Sequence, residues 1–110
     1  MAQALAAGHR AEAVMPDGVA FDVKGNLFIS CYTPDVIYKL SPGGELSVLT
    51  QDPYHVTLSS PTNIAFCGED RRTLVAANLG RWHLSKTEMN DPGAPLNHPA
   101  AVLVVVALQA

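Results

Sequence analysis

The sequence predicts an all-β fold made of two consecutive four-stranded antiparallel sheets. Short segments rich in β-branched and aromatic residues alternate with Pro, Gly, Asn and Asp turns, and no stretch between them has helical periodicity. In addition, the segment Pro16–Phe21 is matched 45 residues later by residues 61–66. Repeats of this length made of short strands are typical of β-propeller blades. We therefore predict two blades of an incomplete ring.

The first predicted blade occupies residues 16–60 and contains four strands. A strand at Pro16–Phe21 is followed by a turn and a second strand that ends at Tyr32. Thr-Pro-Asp and Ser-Pro-Gly-Gly turns then separate two further strands. The predicted second, third and fourth strands cover residues 25–32, 36–40 and 45–50.

The second predicted blade occupies residues 61–99. Its first strand is followed by the polar turn 68–71, a second strand at 72–79 and a third at 81–86. The stretch 91–96 is too rich in Pro and Gly for regular sheet. The fourth strand would then come from the apolar tail at residues 100–110, while residues 1–15 form an irregular lead.

Composition and charge exclude several classes of function. With 48% apolar and 15% charged residues in a chain of 110, the sequence predicts a packed core. The net charge of −3 and the seven scattered basic residues argue against a nucleic-acid partner. The apolar tail is shorter than the ~18 residues of a membrane-spanning helix. No secretory signal precedes Met15, so we expect a cytoplasmic protein that does not bind membranes.

The two cysteines carry no sign of a metal site or a disulfide framework. Cys31 and Cys67 lie 36 positions apart, without a second Cys or His at metal-ligand spacing. Since cysteine is among the most often buried residue types, we predict that both are buried free thiols.

Two blades leave two apolar sheet faces without a neighbour. Repeat units generally need about three copies for stability, and closed propellers have about four to eight blades. We expect that the chain belongs to a longer protein, associates with the missing blades, or forms a homo-oligomer that completes the ring.

Four segments resemble the senescence-marker-protein/gluconolactonase family, which includes regucalcin-like and luciferin-regenerating-enzyme-like proteins. They read PDGVAFDVKGNLFISCY, IYKLSPGGEL, PTNIAFCGEDRRTLVAANLGRWHL and PGAPL, and they cover most of residues 16–96. In that family, their order corresponds to the last two blades of a six-bladed propeller. The resemblance implies a metal-dependent lactone hydrolase that uses Ca²⁺ or Zn²⁺ and acts on sugar-lactone substrates.

The resemblance assigns one residue of this chain to the metal site, Asp17. The family's other protein ligands, a Glu and an Asn, belong to blades outside this sequence. In the family the same Asp is also proposed to activate water, so Asp17 is the candidate for both metal binding and catalysis. One ligand is too few for a hard cation, which takes several oxygen donors, so a divalent metal site in this chain alone is doubtful.

The residues themselves leave structural alternatives open. Pro-Asp-Gly is an ordinary turn sequence in which Asp17 would bond a nearby backbone N–H. Thr62 and Asn63 occupy the equivalent positions of the second blade and would either face a substrate or enter the strand through a turn. For Asn78, Arg81, Trp82 and His83 we expect surface or packing roles, and the remaining histidines, including His55, receive no function.

Two functions follow from these observations. The first is a fragment of a gluconolactonase-like hydrolase that is inactive as an isolated chain. The second is a non-catalytic propeller remnant that acts as a binding or self-association module.

Overall fold

A computed structural model describes residues 15–96, and this part of the chain is all β. Two antiparallel sheets contain seven strands, and residues 15–96 include no helix and hence none that could cross a membrane. In chain order the strands are β1 (Pro16–Phe21), β2 (Leu27–Tyr32), β3 (Asp35–Leu40), β4 (Leu46–Gln51), β5 (Pro61–Cys67), β6 (Thr73–Asn78) and β7 (Leu84–Glu88).

The first sheet is a meander in the order β1-β2-β3-β4, which confirms the four strands predicted for residues 16–60. The turn between β1 and β2 is organised by the buried Asp22. Its carboxylate accepts the backbone N–H groups of Lys24 and Asn26 at 2.9 Å and the Asn26 side-chain amide at 2.8 Å. A carboxylate used in this way replaces the backbone partners that a tight turn lacks.

The second sheet has three strands within residues 15–96, in the order β5-β6-β7. β7 begins at Leu84, three residues later than predicted, and the Asn78 side chain binds the chain at this point. The Asn78 amide donates to His83 O at 3.1 Å and to Ser85 Oγ at 2.9 Å. The predicted lead at 1–14, the end of the second blade at 97–99 and the tail at 100–110 lie outside the described residues.

A core between the two sheets holds them face to face. Phe28 and Ile37 of the first sheet pack with Leu58 and with Ile64, Leu74 and Ala76 of the second. Phe28 and Phe66 meet edge to face with ring centroids 5.7 Å apart, a favoured aromatic arrangement. Side chains alternate along each strand, so this core uses one face of each sheet.

The other face of the first sheet is also apolar. Ile29, Cys31, Val36 and Tyr38 form a second buried cluster there. Burial raises the pKa of the Cys31 thiol to about 11, since a thiolate is poorly solvated in apolar surroundings. The prediction for Cys67 was wrong: it is a free thiol but exposed, because it ends β5 on the face turned away from the first sheet.

The segment after β7 joins the two sheets at the end where β1 and β5 finish. Gly93 forms a bridge with Asp22 and donates its N–H to Arg71 O at 2.7 Å. Ala94 donates to Phe21 O at 2.9 Å. As predicted, residues 91–96 form no strand, and instead they connect the ends of both sheets.

Candidate functional site

β1 and β5 begin side by side, one from each sheet, and this brings the predicted site residues together. The two strands contact each other along their length. A Cβ atom on Gly18 would lie 2.5 Å from Asn63 Cα and 2.3 Å from Asn63 Oδ1. Only glycine permits so close an approach. Gly18 of the first sheet therefore lies directly against Asn63 of the second.

β1 and β5 each have a register shift where they meet. The register of β1 against β2 shifts between Pro16 and Val19, and that of β5 against β6 shifts between Pro61 and Asn63. Bulges of this kind bend a strand and redirect a side chain. In the first sheet the buried Ser30 hydroxyl replaces the missing ladder bonds, accepting from Gly18 N at 3.1 Å and donating to Gly18 O at 3.0 Å.

The bulge leaves the Asp17 side chain exposed, and its carboxylate has no hydrogen-bond partner among residues 15–96. The turn role considered for Asp17, a bond to a nearby backbone N–H, is therefore absent there. Thr62 is half-buried, and the exposed Asn63 accepts the Ile64 N–H through Oδ1 at 2.9 Å. Asp17, Thr62 and Asn63 lie at one end of both sheets, which we call the site end.

The site-end residues provide too few ligands to hold a metal ion by themselves. Within residues 15–96 no three His, Cys, Asp or Glu side chains are grouped so that they could bind one. Asp17 supplies one carboxylate, whereas a hard cation such as Ca²⁺ takes about six to eight oxygen ligands. The donor set of this part of the chain therefore does not fit a complete metal centre.

A cleft of about 720 Å³ extends from Asn63 along the groove between β1 and β5. Its walls are mainly apolar, and Arg71 contributes a charge at the far end. The volume falls within the range of small-molecule sites, roughly 300–1,000 Å³. The residues that line it are Val19, Ala20, Phe21, Asn63, Ile64, Ala65, Phe66, Arg71, Ala94, Pro95 and Leu96.

The connection between β4 and β5, residues 52–60, also lies at the site end and is organised by Asp52. Its carboxylate accepts four backbone N–H groups, from Tyr54, Val56, Thr57 and Leu58. These bonds favour the ionised form and lower the pKa of Asp52 from 3.8 to about 2. A single carboxylate therefore binds most of this connection from within.

His55 in this connection pairs with Asp35 at the start of β3, through His55 Nδ1 and Asp35 Oδ2. The Asp35 side chain is fully buried, while that of His55 is 62% exposed. The sequence did not predict this pair, because the two residues lie 20 positions apart on separate elements. The one available signal was an aspartate at a turn from which β3 enters the core.

Residues of the second sheet bind the same connection from the other side. Arg81 Nε donates to His55 O at 3.0 Å, and His83 Nε2 lies 3.0 Å from Thr57 O. Asn78 Oδ1 accepts the Ser59 N–H at 2.9 Å. Arg81, His83 and Asn78 therefore have the packing roles expected of them, while Trp82 is fully exposed.

Comparisons with known proteins give one similarity. No protein-family model matches the chain, and no solved structure matches it. A curated 6-deoxy-6-sulfogluconolactonase from Pseudomonas putida is 34% identical over 91 residues. The alignment covers 71% of this chain and 30% of that relative, so the chain spans less than a third of the relative's length. The chain is therefore similar to part of a lactonase.

Proposed function

We propose that this chain is part of a lactonase-like hydrolase and that its two sheets, β1–β4 and β5–β7, belong to neighbouring blades of a six-bladed propeller. The similarity to part of a 6-deoxy-6-sulfogluconolactonase supports the reaction class. The observation that carries the proposal is the side-by-side start of β1 and β5, with the same bulge in each strand. Neighbouring blades of a ring present equivalent innermost strands in this way.

In this proposal Asp17 is the residue that the chain contributes to a divalent-metal site. It is an exposed carboxylate whose oxygens have no other partner among residues 15–96. The remaining ligands would come from other blades, and the metal would supply a polarised water when bound. Thr62 and Asn63, at the equivalent position of β5, would contact a sugar-lactone substrate from the adjacent blade.

An activity assay with size-separated protein tests this function. The purified chain is fractionated by size-exclusion chromatography with light scattering, and each fraction is assayed for gluconolactone hydrolysis with added Ca²⁺, Zn²⁺ or Mn²⁺. We expect no metal-dependent turnover from the monomer. We expect metal-dependent turnover when the ring is completed, either in a closed oligomer or with the missing blades supplied as a second polypeptide.

The variant Asp17→Asn should abolish that turnover, since it removes the carboxylate that we assign to the metal site. Glu69→Gln is the matched control, because Glu69 is exposed in the β5–β6 turn at the opposite end of the sheets. Full activity of Asp17→Asn in a completed ring would contradict the assignment, and so would metal-dependent turnover by the monomer.

A second candidate function is self-association through exposed apolar side chains. Val19 and Phe21 of β1 are each 54% exposed, and Leu84 of β7 is 67% exposed. Apolar side chains on sheet surfaces commonly mark interaction sites. If this is the function, the light-scattering experiment yields a defined oligomer without lactonase activity, and Phe21→Asp shifts it to the monomer.

A further inference from the structure

We propose that Asp35 and His55 form a general-base pair that hydrolyses small esters and lactones at the site end. This inference goes beyond the lactonase proposal, because it requires neither a bound metal nor a completed ring. It depends on the geometry of two side chains that the structure brings together from separate elements.

The contact with Asp35 determines the tautomer of His55. Its Nδ1 contacts Asp35 Oδ2, and an ionised carboxylate can only accept hydrogen bonds. Nδ1 therefore carries the proton of the neutral ring, and Nε2 keeps its lone pair. A carboxylate behind an imidazole also orients the ring and stabilises the positive charge that forms when Nε2 takes a proton.

His55 is the solvent-accessible member of the pair. The Asp35 side chain is fully buried, and its Oδ1 has no hydrogen-bond partner in the described part of the chain. The His55 side chain is 62% exposed, so the basic nitrogen is the part of the pair that solvent and substrates can reach. A carboxylate behind an accessible imidazole orients the ring for general-base catalysis.

The backbone at His55 has an unusual conformation that neighbouring charged side chains stabilise. His55 adopts a left-handed backbone with φ of 56°, a conformation that is uncommon outside glycine and is enriched at functional sites. It is maintained by the carboxylate of Asp52 and by Arg81, whose Nε binds His55 O. Asp35 contacts the imidazole itself, whereas Asp52 and Arg81 bind the backbone of the connection that carries it.

The reaction then balances as follows. His55 Nε2 takes a proton from a water molecule while the water oxygen bonds to the acyl carbon. The tetrahedral intermediate collapses with cleavage of the bond between the acyl carbon and the alcohol oxygen. The leaving alkoxide recovers the proton from Nε2, and the products are a carboxylic acid and an alcohol. A lactone gives both groups in one molecule.

p-Nitrophenyl acetate hydrolysis by the monomeric full chain, with a chelator present, tests the pair. His55→Asn should lower the rate at least about a hundredfold, the lower end of what a positioned base contributes. Asparagine tolerates positive φ, so the fold is retained while the base is lost. His83→Asn is the control, because His83 Nε2 is already engaged by Thr57 O, and this variant should keep the wild-type rate.

A second measurement does not depend on any variant. Nitrogen-15 NMR of the unmodified chain should show neutral His55 protonated on Nδ1. In a separate comparison, Asp35→Asn should change this tautomer and slow ester hydrolysis. An Nε2-protonated ring, or equal rates for wild type and His55→Asn, would overturn the proposal. Because this assay uses the monomer with a chelator present, its result is independent of the lactonase test, whose outcome depends on Asp17 and added metal.

Discussion

At the scale of single residues, two aspartates organise the site end in different ways. The Asp52 carboxylate accepts hydrogen bonds from four backbone N–H groups of one connection. Asp35 is buried and pairs with a histidine. In contrast, the carboxylate of Asp17 has no partner in residues 15–96. The first two carboxylates are therefore engaged within the fold, whereas that of Asp17 is exposed.

The lowered pKa of Asp52 predicts a loss of stability in acid. Its pKa is about 2 in the folded protein, against an ordinary 3.8, so ionised Asp52 stabilises the folded state at pH values above about 4. This contribution disappears as the pH falls from about 4 towards 2, because protonation removes the charge that the N–H groups bind.

Urea unfolding of Asp52→Asn between pH 2 and pH 7 measures this effect. We expect the variant to be less stable than wild type at neutral pH and to approach it at the acid end. Glu45→Gln, at the other end of β4, is the control and should lie close to wild type. A constant difference between Asp52→Asn and wild type across the whole range would contradict the prediction.

At the scale of elements, the contact of β1 with β5 decides where the site lies. The repeated segments predicted that these strands are equivalent, and the structure shows that they also touch. Their approach depends on Gly18, because the Asn63 backbone occupies the space that a side chain at position 18 would need. The 45-residue repeat makes Gly18 and Asn63 equivalent positions, but it does not report that they touch, because they lie in different sheets.

Gly18→Ala should therefore separate β1 from β5. A methyl group 2.5 Å from Asn63 Cα must displace backbone, and overpacking of this kind costs about 1–3 kcal/mol. Thermal and urea unfolding measure the cost. Gly43→Ala is the matched control, since its new Cβ would meet nothing closer than Ser41 Oγ at 3.9 Å. Equal stability of the two variants would contradict the close contact.

At the scale of the whole molecule, one core joins the two sheets. Phe28 is almost fully buried between them and meets Phe66 across the interface. Two further links join the sheets, the connection 52–60 at the site end and residues 92–96 at the other. The pair of sheets therefore behaves as one folded unit around Phe28, Ile64 and Leu74.

Phe28→Ala should destabilise this unit strongly. Truncating a buried phenylalanine costs about 3–5 kcal/mol, a large part of the total stability of a small domain. Phe21→Ala removes the same atoms from a side chain that is half exposed and should cost much less. Circular dichroism during urea titration compares the two variants, and similar midpoints would show that the core does not hold the sheets together.

By itself, the sequence determined the strands, the turns between them and the repeat that makes β1 and β5 equivalent. These features follow from local chemistry: alternating apolar residues, and Pro, Gly and Asp at turns. It also singled out Asp17, Thr62 and Asn63, through a resemblance and the repeat. Among the predictions that were wrong are the start of β7, which lies at Leu84, and the burial of Cys67, which is exposed.

The tertiary structure alone decided which residues meet. The Asp35–His55 pair joins residues 20 positions apart on separate elements, and Gly18 meets Asn63 across the two sheets. Their positions depend on how the two sheets pack and on the path of the connection between them. The reason is physical: strand and turn preferences act over a few residues, whereas a site at the end of two sheets forms only after their core has assembled.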